Sequence, residues 1–226
     1  MMLLFFAMET PDDNELLLEI LRNVKAQYPV DEGRIYITGQ SHNGYLALEF
    51  ARRHPDIIAA TAQLNDRHGI GAPNYSVDSL KMTDEMLAEM AKWDMPLINI
   101  CGEIENVFPH ITPGTPEEDN AVDSFHRRLK AFRCPDKSDE AIRGAKYSPD
   151  IATRKNGIPG DRTEVRYAMG HEIYVSDVKN VDGKWHLRFA TMENLPHMIT
   201  PDMAELSWSF LRRFRRREDG SIEEIL

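Results

Sequence analysis

The feature that most restricts the fold is a short tract, Gly39-Gln40-Ser41-His42-Asn43-Gly44, set between two opposite periodicities. Ahead of it, residues 34–38 (Arg-Ile-Tyr-Ile-Thr) form a compact β-branched run that reads as a buried strand. Behind it, Leu46, Ala47, Phe50 and Ala51 recur at helical spacing until His54-Pro55-Asp56 stops them. A strand that passes into a helix over so few residues must lay that helix back on its own sheet. The pattern then repeats. Residues 57–64 and 96–101 read as further strands, the latter closed by Gly102, with a helix over 82–93 between them. An earlier helix starts at Thr10-Pro11-Asp12-Asp13, carries Leu17, Ile20, Leu21 and Val24 on one face, and ends at Pro29. Alternation of this kind predicts an α/β fold: a mainly parallel sheet with helices on both faces.

At 226 residues the chain suits one domain with a substantial core. The tract from 109 to 161 is the least regular. It is rich in Pro, Gly and charge around one helix at 117–132, and 110–161 is expected to form a lid or cap insertion. Two strands, 172–177 and 185–190, are joined by a turn at Val181-Asp182-Gly183, and a closing amphipathic helix is expected over 201–216. The net charge of −10 argues against a nucleic-acid partner. The basic cluster from Arg212 to Arg217 is expected at the carboxyl end of the last helix, where cations meet the negative end of the dipole. Cys101 and Cys134 make neither a disulfide framework nor a metal set. No apolar run reaches the ~18 residues of a membrane span. The apolar opening, residues 1–8, lacks a basic region and a cleavage site, so it reads as a strand rather than a signal peptide. Cytoplasmic location follows if that start is authentic.

In open α/β sheets the chemistry gathers at the carboxyl ends of strands. Ser41 stands at one such end, as the nucleophile of a strand–turn–helix elbow. Gly39 gives room beside it, and the backbone N–H of His42 is aimed at a developing oxyanion. The usual motif is Gly-x-Ser-x-Gly; here Asn43 takes the fifth position and glycine follows at Gly44. A carboxylate beyond a strand end can hold a histidine in its productive tautomer. Glu105 fits by position, with Glu103 and Asp66 as alternatives. His197, in the loop between the last strand and the last helix, is the candidate base. The chain order Ser41, Glu105, His197 is the nucleophile–acid–base order of one class of hydrolases. The other histidines fit less well. His54 ends a helix, His126 lies on a charged helix face, and His186 is expected to point outward from a strand. His110 and His171 lie in or near the lid.

Residues 30–65, with this elbow and the trailing His54-Pro55-Asp56-Ile57-Ile58-Ala59-Ala60, resemble the α/β-hydrolase esterases grouped with polyhydroxybutyrate depolymerases and feruloyl or acetylxylan esterases. Residues 102–109 resemble the acid loop of that group, Gly-x-x-Asp-x-x-x-Pro, with Glu105 where Asp is usual. Leu195-Pro196-His197 and the helix holding Trp208 and Phe210 resemble its base loop and closing helix. The lid region is unmatched. The resemblance implies a serine carboxylic-ester hydrolase working through an acyl-enzyme on a small or polymer-linked ester, with no metal or cofactor. A serine peptidase of the same fold is one alternative, and a catalytically weak hydrolase-like fragment or binding protein is another. The resemblance also implies several strands ahead of the first helix and a second oxyanion N–H from a loop after one of them. The chain is therefore expected to be truncated at its amino end or to have diverged there. Residues 34–38 would then form an edge strand, covered by residues 1–8 or by a second copy in a homo-oligomer.

Overall fold

The structure is a computed structural model that describes residues 2–4, 12–65, 83–168 and 170–225. A seven-stranded sheet forms its centre, in the order β1-β2-β3-β4-β7-β6-β5. The strands are β1 (Met2–Leu4), β2 (Tyr36–Gln40), β3 (Ala60–Leu64), β4 (Leu97–Gly102), β5 (Arg162–Ala168), β6 (His171–Val178) and β7 (Leu187–Met192). The pairs from β1 through β7 are parallel, while β7–β6 and β6–β5 are antiparallel. The sheet is thus mixed and mainly parallel, as the sequence pattern predicts. β1 pairs with β2, so the flank of β2 expected to need a cover has one within the chain.

Alternation along the strands sorts the core into two faces. On β4, Leu97 joins Tyr45, Leu48, Leu87, Met90, Val122, Phe125 and Leu129. These belong to α2 (His42–Arg53), α3 (Asp84–Trp93) and α4 (Pro116–Ala131). On the other face, Ile98 and Ile100 pack with Met203, Leu206 and Phe210 of α7 (Pro201–Leu211). On β2, Ile37 packs with Leu17 and Leu21 of α1 (Asp12–Gln27) and with Ala47 and Phe50 of α2. Helices therefore cover both faces, as the alternation of strands and helices predicts.

Within 110–161 two short helices follow the helix expected there, and two features elsewhere differ from the sequence expectation. Residues 110–161 carry α4, whose apolar face belongs to the main core, then α5 (Asp139–Gly144) and α6 (Ile151–Asn156). The short helices were hidden because six residues give too little periodicity to read. The last helix stops at Leu211, and β8 (Phe214–Arg216) pairs with β9 (Ile222–Glu224). Phe214 and Arg216 turn inward there, while Arg213, Arg215 and Arg217 pair with Glu224, Asp31 and Glu223. The basic cluster is neutralised mainly across a hairpin rather than set against a helix dipole. His186 is buried rather than outward. Its Nδ1 lies 3.2 Å from Asp94 and its ring meets Phe214 edge-on at 5.2 Å.

Candidate active site

β2 ends at Gln40 and α2 begins at His42, so Ser41 alone turns the chain. It does so at φ 55°, ψ −131°, a region that residues with a Cβ rarely occupy. Such conformations cost on the order of 1–3 kcal/mol and persist only where the surroundings impose them. Here Ser41 N–H donates to Leu64 O at 2.7 Å, and Gly44 N–H donates to Ser41 O at 2.8 Å. Gly39 makes the turn possible. A Cβ on it would stand 2.0 Å from Asn43 O and 2.4 Å from Asn43 C. Asn43 itself lies within the first turn of α2 and needs no unusual backbone angle, so a glycine is not required at that position. The His42 N–H belongs to the opening turn of α2, at the positive end of that helix's dipole.

The loops after β3, β4 and β7 meet beside this elbow. Asn65 follows β3 in a left-handed conformation, φ 54°, and is buried. Its N–H donates to Ile100 O, and its side-chain Nδ2 donates to Met198 O, both at 2.7 Å. The loop after β4 folds over the loop after β7, with Ile104 N–H donating to Leu195 O at 3.1 Å. Gly102 permits that approach, since a Cβ there would lie 2.2 Å from Leu195 O and 2.7 Å from Pro196 O.

Glu105 and His197 come together in this arrangement. Glu105 Oε2 bonds His197 Nδ1, and Glu105 Oε1 accepts Gly102 N–H at 3.0 Å. With Nδ1 held by a carboxylate, Nε2 is the nitrogen left to exchange a proton. The Glu105 side chain is largely covered, whereas that of His197 is half exposed. Glu103 is turned to other partners, the Lys155 ammonium and the Asn194 N–H at 3.1 Å. Burial raises the Glu103 carboxyl, but Lys155 and the Asn194 N–H outweigh it and hold the group below its ordinary value. Asp66, the third acid considered, lies outside the described residues. Among the described residues no hydrogen bond joins Ser41 Oγ to His197.

Three other histidines among the described residues have partners of their own. His54 caps α2 and its ring lies 4.6 Å from that of Phe50. His126 bridges Asp136 and Asp139, and His171 Nδ1 lies 3.0 Å from Glu193 O. Sequence reasoning places Asn65, Gly102 and Asn106 in strand-end loops but assigns none of them a contact of its own. Asn106 is buried in the acid loop and donates to Lys155 O at 2.9 Å and Asn156 O at 3.1 Å. The available signal is a Gly or Asn at a strand end or in the loop after it, which reads locally as ordinary loop punctuation.

No family model and no curated protein matches the chain. Among solved structures it is similar to the acetyl xylan esterase from Aspergillus awamori, at 11% sequence identity and a TM-score of 0.47, over 88% of this chain and 67% of that one.

Proposed function

We propose that the protein is a serine carboxylic-ester hydrolase acting through an acyl-enzyme. The observation that carries this reading is the conformation of Ser41: a non-glycine residue held at φ 55°, ψ −131° between a strand and a helix, beside loops that join a histidine to a carboxylate. A purely structural turn would relieve that strain with glycine, while a nucleophile needs the hydroxyl lifted clear of the sheet.

In this reading Ser41 Oγ attacks the acyl carbon as His197 Nε2 takes its proton. The oxyanion receives the His42 N–H. Collapse of the tetrahedral intermediate breaks the bond to the alcohol, which leaves with the proton returned from His197. Water then attacks the acyl-enzyme by the same route and frees the acid. Glu105 fixes the tautomer and stabilises the imidazolium, and its bond to Gly102 N–H fixes Glu105 in turn. The substrate is a carboxylic ester, small or polymer-linked.

A nitrophenyl ester assay and a fluorophosphonate label test the reading. Wild-type protein should hydrolyse the ester and label at Ser41, and Ser41→Ala should do neither. Glu105→Gln should keep the label but slow it by roughly 10²–10⁴-fold, as expected when the imidazole tautomer is lost. Equal labelling of wild type and Ser41→Ala would refute the nucleophile. A second reading, a hydrolase-like binding protein, draws on the missing hydrogen bond between Ser41 and His197; a wild-type chain that is folded yet inert to both reagents would favour it.

A further inference from the structure

Beside the Glu105–His197 pair lies a second ion pair with no part in proton transfer. Lys155, in the last turn of α6, bonds one oxygen of Glu103; the other oxygen accepts the Asn194 N–H. Asn194 stands three residues before His197 and is held at φ 55°. Glu103 therefore ties the helix to the base loop across the acid loop.

The helical end of this tie is itself fixed. Asn156, the neighbour of Lys155, is buried. Its Nδ2 donates to Tyr174 O and Ser176 Oγ, each at 3.0 Å, and its Oδ1 accepts from Thr191 Oγ1 at 2.7 Å. The backbone carbonyls of Lys155 and Asn156 also receive the Asn106 amide from the acid loop. Lys155 Nζ passes over the Tyr174 ring at 5.5 Å. A solvated ion pair contributes little, but this one is partly covered, with side-chain exposures of 32% for Lys155 and 18% for Glu103. It also carries a charge-assisted bond to a backbone N–H, which is stronger and more directional than a neutral one.

We propose that Lys155 and Glu103 are positioning residues for His197: their ion pair holds the Asn194 N–H, and so sets the base loop at the height where Nδ1 meets Glu105. The inference rests on the esterase reading for its effect on rate, while its effect on the His197–Glu105 hydrogen bond can be measured without any turnover.

The test uses full-length Lys155→Met, Lys155→Arg and Glu103→Gln, with three readouts: ester kinetics, the downfield proton of His197 Nδ1 by NMR (assigned by its loss in His197→Asn), and thermal melting. Lys155→Met should lower kcat on the order of 10-fold with KM within about twofold, because geometry at the base changes and substrate binding does not. Its Nδ1 proton should broaden or move upfield, while the melting temperature stays near wild type. Lys155→Arg should restore both the rate and the resonance. Glu103→Gln keeps an oxygen for Asn194 but no charge for Lys155, and should fall between; it also serves if Lys155→Met does not fold. An Nδ1 resonance unchanged in a folded Lys155→Met or Glu103→Gln overturns the proposal. If wild type neither hydrolyses esters nor labels at Ser41, the esterase reading fails by itself, and the resonance alone decides for or against the brace.

Discussion

Replacing Gly102 by alanine tests how the acid and base loops are held together. The added methyl would lie 2.2 Å from Leu195 O, 2.7 Å from Leu195 C and 2.7 Å from Pro196 O. All three are backbone atoms of the loop that carries His197, so no side chain can rotate away. Reaching an ordinary contact requires that loop to retreat by about 1 Å or more. The retreat stretches the Ile104 N–H bond to Leu195 O, the Asn194 N–H bond to Glu103, and the contact of His197 with Glu105. Overpacking of this kind costs roughly 1–3 kcal/mol of stability. A displacement near 1 Å at a reacting group costs about 10²-fold in rate. The assay is the second-order rate of fluorophosphonate labelling, paired with urea unfolding. Gly144→Ala is the internal control, since nothing stands within 4 Å of the added carbon and the residue ends α5 at φ −73°. That change should be neutral or slightly stabilising, by up to about 1 kcal/mol. A Gly102→Ala protein that labels and unfolds like wild type would show that the two loops do not depend on this contact.

Ser41→Gly should raise stability by roughly 1 kcal/mol, as released strain exceeds the entropy cost of glycine, while labelling is lost; a lower unfolding midpoint would contradict the strain argument. Asp177 accepts from Arg188 at 2.6 Å and from Arg162 at 2.9 Å, with both Asp177 and Arg188 nearly covered. Asp177→Asn leaves buried positive charge uncompensated and should cost about 3–5 kcal/mol in urea unfolding; a loss near zero would show that the Arg188 guanidinium finds water. For His126, burial pulls the imidazole down, but its bonds to Asp136 and Asp139 outweigh this and raise it above 6.5. The stability it contributes is complete below the unfolded value and disappears as pH rises through the folded one. The stability difference between wild type and His126→Asn should therefore shrink from about pH 6 upward, and a difference independent of pH would refute the pairing.

Much of this molecule is written in local pattern. The parallel strands follow from short apolar, β-branched runs, the helices between them from a period of 3.6 residues, and the turn at Ser41 from the place where one gives way to the other. Gly39 was legible too, since a one-residue turn leaves no room for a side chain beside it. What no local pattern could decide was contact between distant segments. Position favours Glu105 as the acid, yet Glu103 and Asp66 stay open as loop carboxylates in the sequence. Glu105 takes His197 and Glu103 takes Lys155 because the fold stacks the loop after β4 on the loop after β7 and brings α6 alongside. Gly102 looks like a plain strand ending until Leu195 O arrives 2.2 Å from where its Cβ would be. His186 shows the same limit, because alternation predicted an outward ring while Asp94, from the turn before β4, draws it inside. Periodicity reports which face of an element is apolar. Which polar group meets which across that face is settled only when loops far apart in sequence share one edge of the sheet.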